Sequence, residues 1–76
     1  MPGDSRDLSL WLREVRRQLA ISQEDLARHL GVSYATVNRW ENGQSKPSKL
    51  AKAQLDAFYE KMTDLGKLAH PKSEHR

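Results

Sequence analysis

Apolar residues recur at helical spacing in four segments of the chain. In the first, residues 7–20, a cap at Asp7 precedes apolar positions that share one helix face: Leu8, Trp11, Leu12, Val15 and Leu19. Similar spacing predicts helices within residues 22–31, 33–43 and 47–65. No strand-like alternation occurs. The pattern therefore predicts an all-α fold, a compact helical bundle of four helices, or of five if the last segment is broken.

Polar residues and glycines supply the start and stop signals of these helices. Ser22 and Asp25 have the spacing of a capping box, and Ser33 is placed to cap the third helix. Gly31 and Gly43 suit the left-handed backbone conformation that ends a helix. Gly66 is expected to end the fourth helix in the same way.

The middle of the chain has the steric pattern of two helices joined by a tight turn. Such helices cross at about 90–120°, and Ala27 is small enough for the closest approach. Gly31 supplies the positive backbone angle of the turn. Val37 and Trp40 lie three residues apart, so both can face the first two helices. The pattern predicts a helix-turn-helix at residues 23–43.

The string SQEDLARHLGVSYATVNRWENG resembles the phage-repressor and Cro-like (XRE) helix-turn-helix family, in which the W-E-N-G ending is a specific feature. The resemblance covers residues 12–47 and implies a lambda-repressor-like bundle that binds double-stranded DNA. It also implies that Gln23 binds a phosphate, together with the N–H groups at the amino end of its helix. Arg16 and Glu41 occupy positions that pair in some members, so we expect a largely buried ion pair.

The third helix would enter the major groove with the face opposite Val37 and Trp40. Four residues on that face are predicted to contact base edges: Tyr34, Ala35, Asn38 and Arg39. Arg39 is the first choice, because a guanidinium can bond a guanine at two acceptors. A phosphate contact or a solvated charge is the alternative for Arg39, and simple helix filling is the alternative for Ala35. No acidic residue lies between Ser33 and Trp40, which suits an approach to phosphates.

A second set of residues is predicted to contact phosphates at the two ends of this helix. Its members are Gln23, Ser33, Thr36, Asn42, Gly43, Gln44 and Lys46. The chain carries a net charge of +3, and a basic balance favours phosphate-rich partners because each neutralised phosphate releases counterions.

Composition argues against catalysis and metal binding. The chain has no cysteine, which excludes disulfides and cysteine-ligated zinc. His29, His70 and His75 lack metal-site spacing, and no nucleophile–base set occurs. We expect no catalytic residue, metal, cofactor, membrane span or secretory signal, and a cytoplasmic location. Residues 7–66 are expected to form the domain, between a flexible tail at residues 1–6 and a disordered tail at residues 67–76.

The fourth helix carries a heptad stripe formed by Ala51, Leu55, Phe58, Met62 and Leu65. This pattern leaves two interpretations open. In the first, the helix folds along its own domain and Trp11 contacts Phe58 or Met62. In the second, helix 48–65 pairs with a second copy, which would place two recognition helices about 34 Å apart on a palindromic site.

The sequence therefore favours a small transcriptional regulator of the repressor type. One alternative is a protein-interaction module, such as an antitoxin or an adaptor subunit, whose main partner is another protein. Another is the DNA-targeting part of a larger restriction-modification or conjugation system.

Overall fold

The computed structural model describes residues 5–68, which form four helices. These are α1 (Ser5–Leu19), α2 (Gln23–Leu30), α3 (Tyr34–Glu41) and α4 (Lys49–Asp64). No strand occurs within residues 5–68. The prediction of an all-α bundle is confirmed with four helices, and α4 runs without the break that a fifth helix would require.

The helix ends follow the predicted local signals. Ser22 Oγ accepts a hydrogen bond of 3.0 Å from the Asp25 N–H, and the Ser22 N–H donates to the Asp25 carboxylate at 3.3 Å. This reciprocal pair is the predicted capping box. Gly31 follows α2 with φ +75°, a left-handed conformation that costs a glycine little. Local chemistry therefore fixes the turn between α2 and α3.

The outer boundaries differ from the predicted ones. α1 begins at Ser5, before the expected cap at Asp7. At the other end Leu68 is buried in the core. The packed domain therefore extends past Gly66, because an apolar side chain just beyond the helix stop completes the core. The rest of the predicted tails, residues 1–4 and 69–76, lies outside the described residues.

The core lies where α3 packs on both α1 and α2, with α4 covering α2. Leu12, Leu26 and Val37 are fully buried, and Ala27 is buried in the helix-turn-helix. Trp11 packs against the core cluster that contains Phe58 and Met62, and its ring contacts Tyr59, with ring centroids 5.2 Å apart. The Phe58 and Met62 side chains point further into the core, whereas Trp11 and Tyr59 both lie half-buried at its rim.

The heptad stripe of α4 serves the chain's own core. Leu55, Phe58 and Met62 are all buried against the other helices. Of the remaining two residues of the stripe, Ala51 is half-buried and Leu65 is 58% exposed. The stripe therefore packs along its own domain, as in the first interpretation, and pairing of helix 48–65 with a second copy stays a prediction. Within residues 5–68, none of the helices has the length and apolar character that a membrane span requires.

Candidate nucleic-acid interface

The two faces of α3 differ sharply in burial. Val37 is fully buried and Trp40 nearly so, which fixes the rotation of the helix about its axis. On the other face Tyr34 is 50% exposed, Ala35 and Arg39 are also exposed, and Asn38 is half-buried. The predicted base-contacting residues therefore include three exposed side chains and one at the edge of the face.

Arg39 differs from the other arginines in what it contacts. Arg16 pairs with Glu41, Arg17 with Glu14 and Arg28 with Asp25. Within residues 5–68, Arg13 has no carboxylate partner, but it donates to the backbone carbonyl of Glu41. Arg39 has no carboxylate partner in the described part of the chain. Its guanidinium donors are therefore available to an outside acceptor.

Two predicted phosphate contacts lie at the amino end of α3. The Ser33 hydroxyl oxygen accepts a hydrogen bond from the Thr36 N–H at 3.1 Å, which caps the helix. It also shares a 2.9 Å hydrogen bond with the Thr36 hydroxyl. That bond uses one of the two hydroxyl hydrogens. The other remains available to a phosphate oxygen.

The loop after α3 offers exposed side chains, whereas the first three N–H groups of its backbone are already bonded. Asn42, Gln44 and Lys46 are exposed. The N–H groups of Asn42, Gly43 and Gln44 donate to carbonyls of α3 at distances of 2.9–3.1 Å. Gly43 has no side chain, its N–H is bonded to the Trp40 carbonyl, and it makes the chain reversal with φ +72°. Its phosphate contact stays a prediction.

A buried polar network joins α1, α2 and α3 at Glu41, the last residue of α3. Its carboxylate accepts from Arg16 Nε at 2.6 Å and from Arg16 Nη2 at 2.8 Å. Gln23 Nε2 adds a third bond at 3.0 Å. The Glu41 side chain is 0% exposed and that of Arg16 is 23% exposed. The expected ion pair between Arg16 and Glu41 is thus present in the structure.

The electrostatics of this network keep Glu41 ionised. Burial alone would raise the pKa of its carboxyl group, because desolvation disfavours the charged form. The hydrogen bonds from Arg16 and Gln23, with the charges of Arg16 and Arg13, outweigh that effect and hold the pKa below its ordinary value. A buried carboxylate with this many donors behaves as a fixed negative centre at neutral pH.

Sequence reasoning missed part of this network. The backbone carbonyl of Glu41 accepts from Arg13 Nη2 at 3.0 Å and from the Ser9 hydroxyl. Ser9, Arg13 and Arg16 are spaced four and three residues apart, so they follow one edge of α1. That polar edge beside the apolar face of α1 was the available signal. The third bond of Glu41, from Gln23, carried no signal in the sequence.

Gln23 lies at the first position of α2 and is half-buried. Beside it a shallow, open depression connects the amino ends of α2 and α3, lined by Arg16, Ser22, Gln23, Glu24 and Tyr34. The predicted phosphate contact at Gln23 would lie in this depression. Glu24, an exposed carboxylate, is the unfavourable member of its lining.

Comparison with known proteins places this arrangement in a family. A family model described as "Helix-turn-helix" matches residues 12–51, which include α2, α3 and most of α1. The chain belongs to the DNA-binding helix-turn-helix family. The predicted membership in its XRE/Cro-like branch is confirmed by this match.

A curated relative is also similar to most of this helix-turn-helix chain. Type II methyltransferase M1.ScrFI of Lactococcus lactis subsp. cremoris is 35% identical over 57 residues, which cover 71% of this chain. They cover 15% of the methyltransferase, so the chain corresponds to a small part of that relative. No solved structure matches the chain at a significant level.

The described residues of this helix-turn-helix chain hold no evident metal site. Within residues 5–68, no three His, Asp or Glu side chains lie close enough together to hold an ion. The exposed side chains on α3 and in the loop after it include hydrogen-bond donors, a methyl group and a phenol. Their chemistry suits the recognition of base edges and phosphates.

Proposed function

We propose that the protein recognises a specific double-stranded DNA sequence and acts as a transcriptional regulator of the repressor type. The observation that carries the proposal is Arg39, an exposed arginine without a carboxylate partner on the outward face of a helix that the core holds in place. A helix whose orientation is fixed before binding loses little conformational entropy on the DNA.

The outward face of α3 supplies the groups that major-groove recognition requires. Arg39 fits the two acceptors of a guanine, Asn38 fits an adenine, and the Ala35 methyl group fits the methyl group of a thymine. Tyr34, at the first position of α3, lies beside the depression at Gln23. Tyr34 therefore lies between the proposed base contacts of α3 and the proposed DNA phosphate contact of Gln23 on α2.

Phosphate contacts on both sides of α3 would set its register on the duplex. Gln23, Ser33 and Thr36 belong to the side formed by the amino ends of α2 and α3. The opposite side is the loop after α3, where Asn42, Gln44 and Lys46 are exposed. These contacts add affinity for any sequence, whereas discrimination depends on the outward face of α3.

Selection from random double-stranded DNA at a fixed, stated salt concentration tests the proposal. The expected result is enrichment of one short motif that Arg39→Ala no longer enriches. Arg28→Ala is the matched control, because it removes the same charge from an exposed position on α2. Uniform weak binding that disappears at moderate salt would contradict sequence-specific recognition and favour the protein-interaction alternative. The symmetry of the motif also reports how many copies bind.

The similarity to part of a type II methyltransferase favours a second candidate function. In it, the same surface directs a DNA-modification system to its sites, and no transcription is regulated. The position of the selected motif separates the two. A motif in the promoter of the gene that encodes this protein supports the regulator, and a motif that coincides with the target of a methyltransferase encoded beside it supports the second candidate.

A further inference from the structure

We infer that Glu41 is a positioning residue for DNA binding, which holds the side-chain amide of Gln23 with its donor end in place for a backbone phosphate. The inference rests on the proposed function, because it assigns Gln23 to the phosphate backbone. Its observations are the 3.0 Å bond from Gln23 Nε2 to Glu41 Oε1 and the complete burial of the Glu41 side chain.

The chemistry of the two groups fixes the orientation of the amide. A glutamine amide has a donor end and an acceptor end of nearly the same shape, and a carboxylate only accepts. The NH₂ end of Gln23 must therefore face Glu41, since the flipped amide would bring two oxygens together. One of the two Nε2 hydrogens is bonded to Glu41, and the second remains for a phosphate oxygen.

Arg16 makes this arrangement compatible with an arriving anion. Its guanidinium neutralises Glu41 through two hydrogen bonds, and Nη1 donates to the Ile21 carbonyl at 3.3 Å. Because Arg16 also lines the depression beside Gln23, a phosphate there meets a cation as well as the Gln23 donor. Without Arg16, the charge of Glu41 would oppose binding.

The position of Glu41 in the fold explains how its hydrogen bond with Gln23 would affect DNA binding. Glu41 ends α3, and Gln23 begins α2. Their hydrogen bond therefore joins the proposed phosphate contact on one helix to the helix that contacts the bases. It fixes the spacing between the two before DNA arrives, and it removes side-chain freedom that Gln23 would otherwise lose on binding.

A double-mutant cycle separates this role from a purely structural one. Affinity for the selected site is measured for Gln23→Ala, Glu41→Gln and the double variant, at a temperature where circular dichroism shows each folded. A glutamine at position 41 keeps the shape but cannot accept all three hydrogen bonds. We expect each single change to weaken binding about three- to tenfold, and the double variant to bind no more weakly than Gln23→Ala.

Two further readouts complete the cycle. The slope of log affinity against log salt should stay unchanged in Gln23→Ala, because no cationic phosphate contact is lost, whereas Lys46→Ala should lower it by about one. Gln18→Ala is the matched control, since Gln18 Nε2 donates to Glu14 at 2.9 Å on an exposed surface. It should leave affinity unchanged.

The outcomes distinguish the inference from the proposed function. Effects of Gln23→Ala and Glu41→Gln that multiply in the double variant would overturn the inference alone. Failure of the unaltered protein to bind any site would overturn both. If Glu41→Gln does not fold, proton NMR of the unaltered protein decides: one Gln23 Nε2 hydrogen should resist exchange without DNA and the second only with DNA. Two equally exchanging hydrogens in the free protein would refute the role of Glu41.

Discussion

Two neighbouring arginines of α1 form the same hydrogen-bonded arrangement in opposite environments. Arg16 donates twice to Glu41, which also accepts from Gln23. Arg17 donates twice to Glu14, which also accepts from Gln18. We call these the buried triad (Arg16, Glu41 and Gln23) and the exposed triad (Arg17, Glu14 and Gln18). The buried triad joins three helices, whereas all three members of the exposed triad lie on α1.

The difference between the triads shows that hydrogen-bond geometry alone does not determine how much the loss of an ion-pair partner destabilises the fold. The shortest Arg–Glu distance is 2.6 Å in both. In the exposed triad the arginine side chain is 71% and the glutamate side chain 48% exposed, so water solvates either charge when its partner is lost. Glu41 has no such access. A buried pair adds little net stability, but the loss of one partner leaves a charge without compensation.

Arg16→Met should produce the largest effect on the free energy of unfolding. It leaves Glu41 ionised and enclosed, and we expect a loss of about 3–5 kcal/mol. Glu41→Leu should cost less, because Arg16 retains some contact with water. Thermal or urea unfolding measures both, with Arg17→Met as the control from the exposed triad. Equal losses in Arg16→Met and Arg17→Met would show that the two triads do not differ.

Arg39→Ala extends the comparison to an arginine without a triad. We expect its unfolding midpoint to match that of the unaltered protein, while binding to the selected site loses about 1–3 kcal/mol. Titration of labelled DNA, with and without one changed base pair, measures the loss. Discrimination at one base position should relax. A large fall in melting temperature would instead assign Arg39 to the fold.

The sequence predicted the parts of the fold and site that depend on neighbouring residues. Ser22, Asp25 and Gly31 specify a helix start and stop through local hydrogen bonds and backbone angles, and each behaves as expected. The ring contact of Trp11 with Tyr59 was not predicted, because it depends on how α4 is rotated against α1. Ala20 ends α1 with φ +58°, although no glycine marked the position.

Contacts between residues far apart in the sequence could be predicted only from the family resemblance, or could not be predicted at all. Arg16 and Glu41 lie 25 residues apart, and local spacing rules reach only three or four residues along a helix. Family resemblance supplied that pair. It supplied only a phosphate contact for Gln23, because the bond to Glu41 depends on how the ends of α2 and α3 meet in space.

Acidification should separate the triads by the pH at which each loses its carboxylate. Hydrogen bonds from Arg17 and then Gln18 lower the pKa of Glu14 to about 2, and the pKa of Glu41 also lies below its ordinary 4.5. A carboxyl group whose pKa is lower in the folded state stabilises that state above its ordinary pKa. The stabilisation is lost as the pH falls through the folded-state pKa.

The free energy of unfolding, measured between about pH 6 and pH 2, should therefore fall as the pH drops below 4.5. Glu41→Gln should flatten the profile most, because Glu41 is enclosed, whereas solvent screens the exposed Glu14 pair and weakens its contribution. Glu14→Gln should flatten the profile between about pH 4.5 and pH 2, the interval in which the unfolded chain protonates Glu14 and the folded protein does not. The reverse order would mean that the exposed triad contributes more to acid unfolding.

Added salt should change the free energy of unfolding less than the other tests, but it should separate the two triads most clearly. At about 1 M salt the Debye length is near 3 Å, so charges in contact with solvent are screened, whereas enclosed charges are screened much less. The small stability difference between Arg17→Met and the unaltered protein should disappear in high salt. The difference for Arg16→Met should persist, because ions do not reach Glu41.

Urea unfolding of the three proteins at low and high salt measures both differences, and Gln18→Ala controls for general salt effects on α1. A salt-sensitive Arg16→Met difference would show that water and ions reach the buried triad, and that Glu41 is not the fixed centre on which the orientation of Gln23 depends.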